Sequence, residues 1–221
     1  MIIETRAVGP FFKNGFLAGC DRTGEAILID PGDEVEQLLT LAARRGLRIR
    51  DILLTHAHVD HVTGVPAAKR ALGVPIHLHR DDLFLYERAA EQGKIFGLKV
   101  EPLPPIDTFY TPAQVIPFGD YETHVHHTPG HCPGGVCLHV VKTEPVGGDP
   151  RDHRDDLFVG DTLFAGSIGR TDLPGGDRAT LISSIRTVLF AFGDEAHVHP
   201  GHGPSTTIGQ ERRTNPFLIE A

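Results

Sequence analysis

The segment Thr55-His56-Ala57-His58-Val59-Asp60-His61 puts three imidazoles and a carboxylate within six residues. Such a run is costly unless something binds it. Protonated together, the rings repel; neutral together in a core, they leave ring nitrogens unsatisfied. The i, i+2 spacing of His56 and His58 does not suit one helix face, where metal-binding histidines stand at i, i+4. It suits an extended turn leaving a strand, with both rings converging on one ion and Asp60 and His61 serving a second ion beside it. Three later positions repeat the logic at the ends of strand-like runs. His131 follows Thr128-Pro129-Gly130, Asp161 follows Phe158-Val159-Gly160, and His202 lies in Pro200-Gly201-His202-Gly203. In an open sheet, residues at strand ends on one edge meet in a single crevice. Five histidines and two aspartates suit two borderline divalent ions, chiefly zinc, with iron or manganese also admitted. The set holds no thiolate, which argues against a closed structural zinc and leaves positions open for water.

The elements that must carry these residues alternate between strand and helix. Residues 16–20 and 26–29 read as strands joined by the turn Asp21-Arg22-Thr23-Gly24, the second ending at Asp30-Pro31-Gly32. A helix capped by Asp33, with Glu36 three residues on, carries the stripe Val35, Leu38, Leu39, Ala42 and stops at Gly46. Strand 52–54, helix 65–72 closed by Gly73, strand 76–78 and a helix from Leu83 to Gln92 closed by Gly93 follow. Residues 97–142 are richer in proline and in short alternating runs, as in an antiparallel sheet. Beyond them come a buried strand at 157–159, a helix capped by Asp177 and a short strand at 196–199. On that helix Leu181, Ile182, Ile185, Val188, Leu189 and Phe192 share one face. The expectation is helices packed on sheet faces in one α/β domain over residues 1–221. Residues 143–156, rich in Gly, Pro and Asp, read as an exposed loop.

Composition narrows the function classes. The chain has 221 residues, a hydrophobic share of 40%, a charged share of 23% and a formal charge of −8. That is globular, and neither a nucleic-acid groove nor an anionic membrane is an obvious partner. No apolar run approaches about 18 residues, and Met1-Ile2-Ile3-Glu4-Thr5-Arg6 lacks the layout of a signal peptide. The three cysteines, Cys20, Cys132 and Cys137, form neither a disulfide framework nor a CxxC pair. A soluble cytoplasmic protein is the expectation.

The HxHxDH motif, the later His131, the Asp161 after a strand and the final His202 resemble the metallo-β-lactamase superfamily over nearly the whole chain. The resemblance implies a four-layer αββα sandwich with metals at a shared edge. It implies one metal on His56, His58 and His131, another on Asp60, His61 and His202, and Asp161 bridging both. Asp60 would also orient the attacking hydroxide and move a proton. The stretch Gly160-Asp161-Thr162 through Gly176-Asp177, and the tail from Gly201 to Phe217, are similar to the short glyoxalase II-like thioester hydrolases of bacteria. Full-length glyoxalase II carries a helical C-terminal domain that helps bind glutathione. Only 19 residues follow His202 here (221 − 202), so no such separate domain is expected. The implied activity is hydrolysis of a small acyl thioester such as S-D-lactoylglutathione by hydroxide generated on two metals. The alternative is a persulfide dioxygenase acting on glutathione persulfide, with a single iron on His56, His131 and Asp161. A purely structural metal domain has no use for open ligand positions.

Other residues divide between structure and site. Arg170 either pairs with Asp172 in the pocket-rim loop or grips a substrate carboxylate in a bidentate fashion. Cys132 reads as a small buried neighbour of the site. His127 is the histidine most suited to hydrogen bond near the metals. His77, His79, His124, His126, His139, His153, His197 and His199 read as core or surface histidines.

Overall fold

A computed structural model of the chain describes residues 1–143 and 155–219. It divides into two compact units, Met1–Thr111 and Pro112–Ala221. His153 and most of the 143–156 segment fall outside the described residues.

The first unit is built on a six-stranded sheet. It opens with β1 (Ile2–Val8), β2 (Lys13–Gly19) and β3 (Glu25–Ile29), an antiparallel meander. The reversal at 21–24 forms as expected, with Gly24 at φ 72° donating its amide to the Cys20 carbonyl. After β3 come α1 (Glu36–Arg44) and β4 (Arg48–Leu53), which lies parallel to β3. Asp33 does not cap α1. The N-cap is Val35, with no side-chain cap, and Glu34 before it takes φ 55°. The chain therefore enters the helix by a left-handed kink that leaves a capping box no room.

Two short helices follow, α2 (Val59–Val62) and α3 (Val65–Leu72), the latter closed by a left-handed Gly73 as its sequence predicts. Then come β5 (Ile76–Leu78), α4 (Leu83–Glu87), α5 (Ala89–Ile95) and β6 (Thr108–Phe109). The single helix expected over 83–92 is thus two, broken at Arg88, and Gly93 lies inside the second. β3, β4, β5 and β6 all run parallel, so their C-terminal ends share one edge of the sheet. Parallel strands need covered faces. Accordingly Ile27, Leu28, Ile52, Leu53 and Ile76 are all buried.

The second unit has its own six-stranded sheet. β7 (Val115–Phe118), β8 (Tyr121–His127) and β9 (Val136–Lys142) form the expected antiparallel meander. β10 (Asp156–Gly160) pairs antiparallel with β9, and a small hairpin, β11 (Leu163–Phe164) and β12 (Ser167–Ile168), follows. Next come α6 (Arg178–Thr187), β13 (His197–Pro200), β14 (Thr206–Thr207) and α7 (Ile208–Thr214). The sheet order is β14-β13-β10-β9-β8-β7. Asp177 caps α6 as expected, its carboxylate accepting from the Thr180 amide at 2.7 Å. Leu181 and Ile185 of α6 pack with Leu157, Val159 and Val198 of the sheet, each such burial contributing about 1.5–3 kcal/mol. Asp156 is not part of an exposed loop. It opens β10 fully buried, and its carboxylate meets His199 Nε2 at 2.8 Å.

Candidate metal centre

In the first unit, the edge shared by the ends of β3 and β4 brings Asp30 beside the 55–61 segment. Asp30 is 1% exposed. Its Oδ1 accepts from the Thr55 amide at 2.7 Å; its Oδ2 takes the Thr55 hydroxyl at 2.6 Å and His61 Nδ1 at 2.9 Å. A carboxylate only accepts, so His61 carries its proton on Nδ1. The Thr55 hydroxyl gives its hydrogen to Asp30, so at 3.1 Å it accepts from His56 Nδ1. One carboxylate thereby sets the tautomer of two histidines. In both rings Nε2 is the nitrogen with the lone pair, the one a metal would take.

The segment itself is held open by its amides. The amides of Thr55, Ala57 and Val59 are captured in turn by Asp30, by Asp82 at 3.0 Å and by Gln92 at 3.2 Å. Three side chains from three places do the work a neighbouring strand would do, and the backbone stays extended through His58 (φ −68°, ψ 150°). The rings of His56 and His58 stand edge to face at 5.0 Å, and those of His56 and His61 lie 4.0 Å apart. α2 then brings Asp60 round, its Oδ2 at 3.8 Å from His61 Nε2.

In the second unit, direction does the positioning. β8 and β10 are each antiparallel to β9, and β13 is parallel to β10. All three therefore end on the same edge, and His131, Asp161 and His202 follow those ends. Asp161 Oδ2 lies 3.7 Å from His131 Nε2 and 3.5 Å from His202 Nε2. His131 Nδ1 faces the Arg170 carbonyl at 2.7 Å. A carbonyl only accepts, so this ring too presents Nε2.

The loops carrying these residues are anchored. Ser184 of α6 donates to the Pro129 carbonyl at 2.7 Å, and the Asp177 amide donates to the Gly130 carbonyl at 2.8 Å. Gly130 takes φ 129°, and a Cβ there would strike the Leu181 backbone. A Cβ on Gly169 would collide with the Asp161 carbonyl and approach His131 Nδ1 to 3.2 Å. Only glycine lets these chains pass so closely. Ser205 meets His199 Nδ1 at 3.3 Å, bracing the loop that holds His202. Buried Glu211 accepts from the Gly166 amide, Thr206 and Asn215, fixing the hairpin after Asp161.

Within each unit, then, the expected ligands are together. Arg170 forms a bidentate pair with Asp172, both bonds 2.7 Å, on the exposed surface. That pairing holds the Asp172 carboxyl down at about 2. Cys132 is buried, as expected. His127 is exposed and meets the Pro133 carbonyl at 2.8 Å, bracing the His131 loop. The groups that orient ligands are Asp30, Thr55 and the Arg170 carbonyl. Asp30 had a visible signal, a carboxylate ending the strand before the His-rich one. Asp82 and Gln92 had none, since nothing local ties them to residues 57 and 59.

The donor chemistry fits divalent cations: five imidazoles, three of them with Nδ1 engaged so that Nε2 faces outward, beside carboxylates, with no thiolate. This chain belongs to the metallo-β-lactamase superfamily, whose family model matches residues 8–144, and it has the metallo-β-lactamase fold. It is a metallo-hydrolase of that superfamily.

Among its relatives is hydroxyacylglutathione hydrolase GloC of Haemophilus influenzae, 40% identical over 99% of this chain and 98% of that protein. The BLEG-1 B3 metallo-β-lactamase superposes with a TM-score of 0.86 at 35% identity, covering 99% of this chain and all of that one. TTHA1623, solved in a di-iron-bound form, superposes at 0.82 with 42% identity over the same spans (99% and 100%).

Proposed function

We propose that the chain is a binuclear-metal hydrolase of small acyl thioesters, with S-D-lactoylglutathione the leading candidate substrate. The observation that carries this is the gathering of His56, His58, Asp60 and His61 in the first unit and of His131, Asp161 and His202 in the second, with Nδ1 of three of the rings already engaged. On the family pattern, His56, His58 and His131 would hold one ion, Asp60, His61 and His202 the other, with Asp161 shared. Seven donors without a thiolate suit two ions with sites left open for water, zinc first and iron or manganese next. The 42% identical relative solved in a di-iron-bound form is in keeping with a two-ion centre.

When bound, two such ions lower the pKa of water from about 15.7 toward about 7 and polarise a carbonyl. The chain's own residues supply the rest. Asp30 and the Arg170 carbonyl hold three rings in the metal-ready tautomer, and Asp60, beside His61, orients the attacking water and carries its proton. A thiol with a pKa near about 8.5 leaves as thiolate without a proton donor, whereas an amide nitrogen needs one. That favours thioesters over lactams, in line with the GloC relative. Arg170 is engaged by Asp172, so its gripping a substrate carboxylate would require that pair to open. The whole of residues 1–221 acts as one catalytic domain in the cytoplasm, a compartment suited to three cysteines in no disulfide. Among the described residues no helix is long and apolar enough to cross a membrane, and a formal charge of −8 disfavours a nucleic-acid partner.

The test is metal content with a kcat/KM series in which the acyl group is fixed and the thiol varied. About two metals per chain and thioester turnover across several thiols are expected. One tightly held iron with oxygen-dependent persulfide consumption, or preferential lactam cleavage, would overturn the reading.

A further inference from the structure

The second unit carries another concentration of imidazoles, on the strands themselves and not at their ends. His124 and His126 stand at i and i+2 on β8, so both point to one face. β9 places His139 directly opposite His124 and Cys137 opposite His126. Cys137 packs in the core under α6, which puts all three histidines on the helix-covered face, where its apolar packing gives way to polar groups. The ring centroids of His124 and His126 each lie 5.8 Å from that of His139. Two imidazoles on one tetrahedral ion, with metal–nitrogen bonds of about 2.0–2.1 Å, hold their centroids roughly 5 Å apart. The observed spacings to His139 are within about 1 Å of that, and the nitrogens are not yet gathered, so binding requires the rings to turn about χ1 and χ2.

The surroundings point the same way. His139 Nε2 bonds the Asp155 carboxylate at 2.8 Å, and His124 Nε2 lies 3.3 Å from Glu122. A carboxylate on one ring nitrogen directs the other toward a cation, the same arrangement Asp30 imposes on His61. His126 Nε2 is buried with no hydrogen-bond partner among the described residues, a state that costs free energy unless something fills it. Phe192 stacks edge-on against both His126 and His139, at 5.4 Å and 4.8 Å, and walls off one side. Burial, helped by the charges of His139 and His124, holds the His126 imidazolium down, so the ring is available as a neutral base.

We propose that His124, His126 and His139 form a second, separate site for a borderline divalent cation such as zinc, nickel or copper(II), cross-bracing β8 to β9. Its rings are partly exposed and need to turn, so it binds more weakly than the strand-end ligands and fills only when such a cation is in excess. None of its residues belongs to the catalytic machinery.

The experiment is equilibrium dialysis of the metal-loaded enzyme against a series of zinc concentrations, with elemental analysis. The double variant His124→Gln/His126→Gln is run beside the wild type. The wild type is expected to take up about one more zinc per chain than the variant, whatever number of ions the main centre holds, with thioester turnover unchanged in the variant. Equal zinc uptake in the two proteins would overturn the proposal and leave the reading of the main centre untouched. A second measurement does not depend on the variant folding. In imidazole ¹H–¹⁵N spectra of the wild type, added zinc should move the ring resonances of His124, His126 and His139 together. Their staying fixed while zinc is taken up elsewhere would equally refute the site.

Discussion

Replacing Asp30 by Asn tests whether one carboxylate sets the proton positions of the metal-facing histidines. The volume is unchanged and the chemistry is not. The amide oxygen can still accept from the Thr55 amide, now 2.7 Å from Oδ1. The amide nitrogen then occupies the position of Oδ2, where the Thr55 hydroxyl and His61 Nδ1 both donate, at 2.6 and 2.9 Å. Donor faces donor. Relief requires the Thr55 hydroxyl to turn and His61 to move its proton to Nε2, the nitrogen a metal would take. A Thr55 hydroxyl turned toward His56 Nδ1 would force the same tautomer change there. Loss of such an orienting partner weakens metal binding about 10–100-fold, or about 1.4–2.7 kcal/mol. Loss of a charge-assisted hydrogen bond lowers folding stability by about 1.5–3 kcal/mol. The assay is competition with a chromophoric chelator for zinc, with circular dichroism confirming that the variant is folded. A folded Asp30→Asn protein that holds zinc as tightly as wild type would refute the argument that Asp30 sets these tautomers.

His202→Ala should lose about one of two ions and most turnover; elemental analysis showing unchanged metal would contradict the two-ion centre. Gly169→Ala should reduce both metal retention and thermal stability, because its Cβ collides with the Asp161 carbonyl; wild-type values for both would show that the chain there has slack. The lowered pKa of His126, caused first by burial and then by its two neighbouring imidazoles, means the folded state binds fewer protons than the unfolded state below the ordinary value of 6.5. Stability in metal-free buffer should therefore fall as pH drops through that value and level off below the lowered folded one. Denaturant titrations from pH 7.5 to 5 measure it, and an identical pH slope in His126→Gln would rule His126 out as the source.

The sequence by itself determined the ligand inventory and much of the local structure. The HxHxDH run needs an extended turn after a strand because i, i+2 histidines share a side only there, and β4 ends at Leu53 with His58 extended. Gly73 and Asp177 ended and began helices where their own backbone and side-chain preferences require. These are short-range facts: a residue's conformational preference acts on its immediate neighbours. Tertiary structure decided the rest. The helix read over 83–92 broke into two, and Asp33 lost its cap to the left-handed Glu34. Asp156 was drawn from a polar segment into a buried pair with His199. The tautomer-setting contact of Asp30 with His61 joins residues 31 positions apart, and Asp82 and Gln92 reach residues 57 and 59 across 25 and 33 positions. No periodicity or motif records such pairings, because strand order and direction create them. A hydrogen bond's value depends on where the chain's distant parts are brought, and only the folded sheet brings them there.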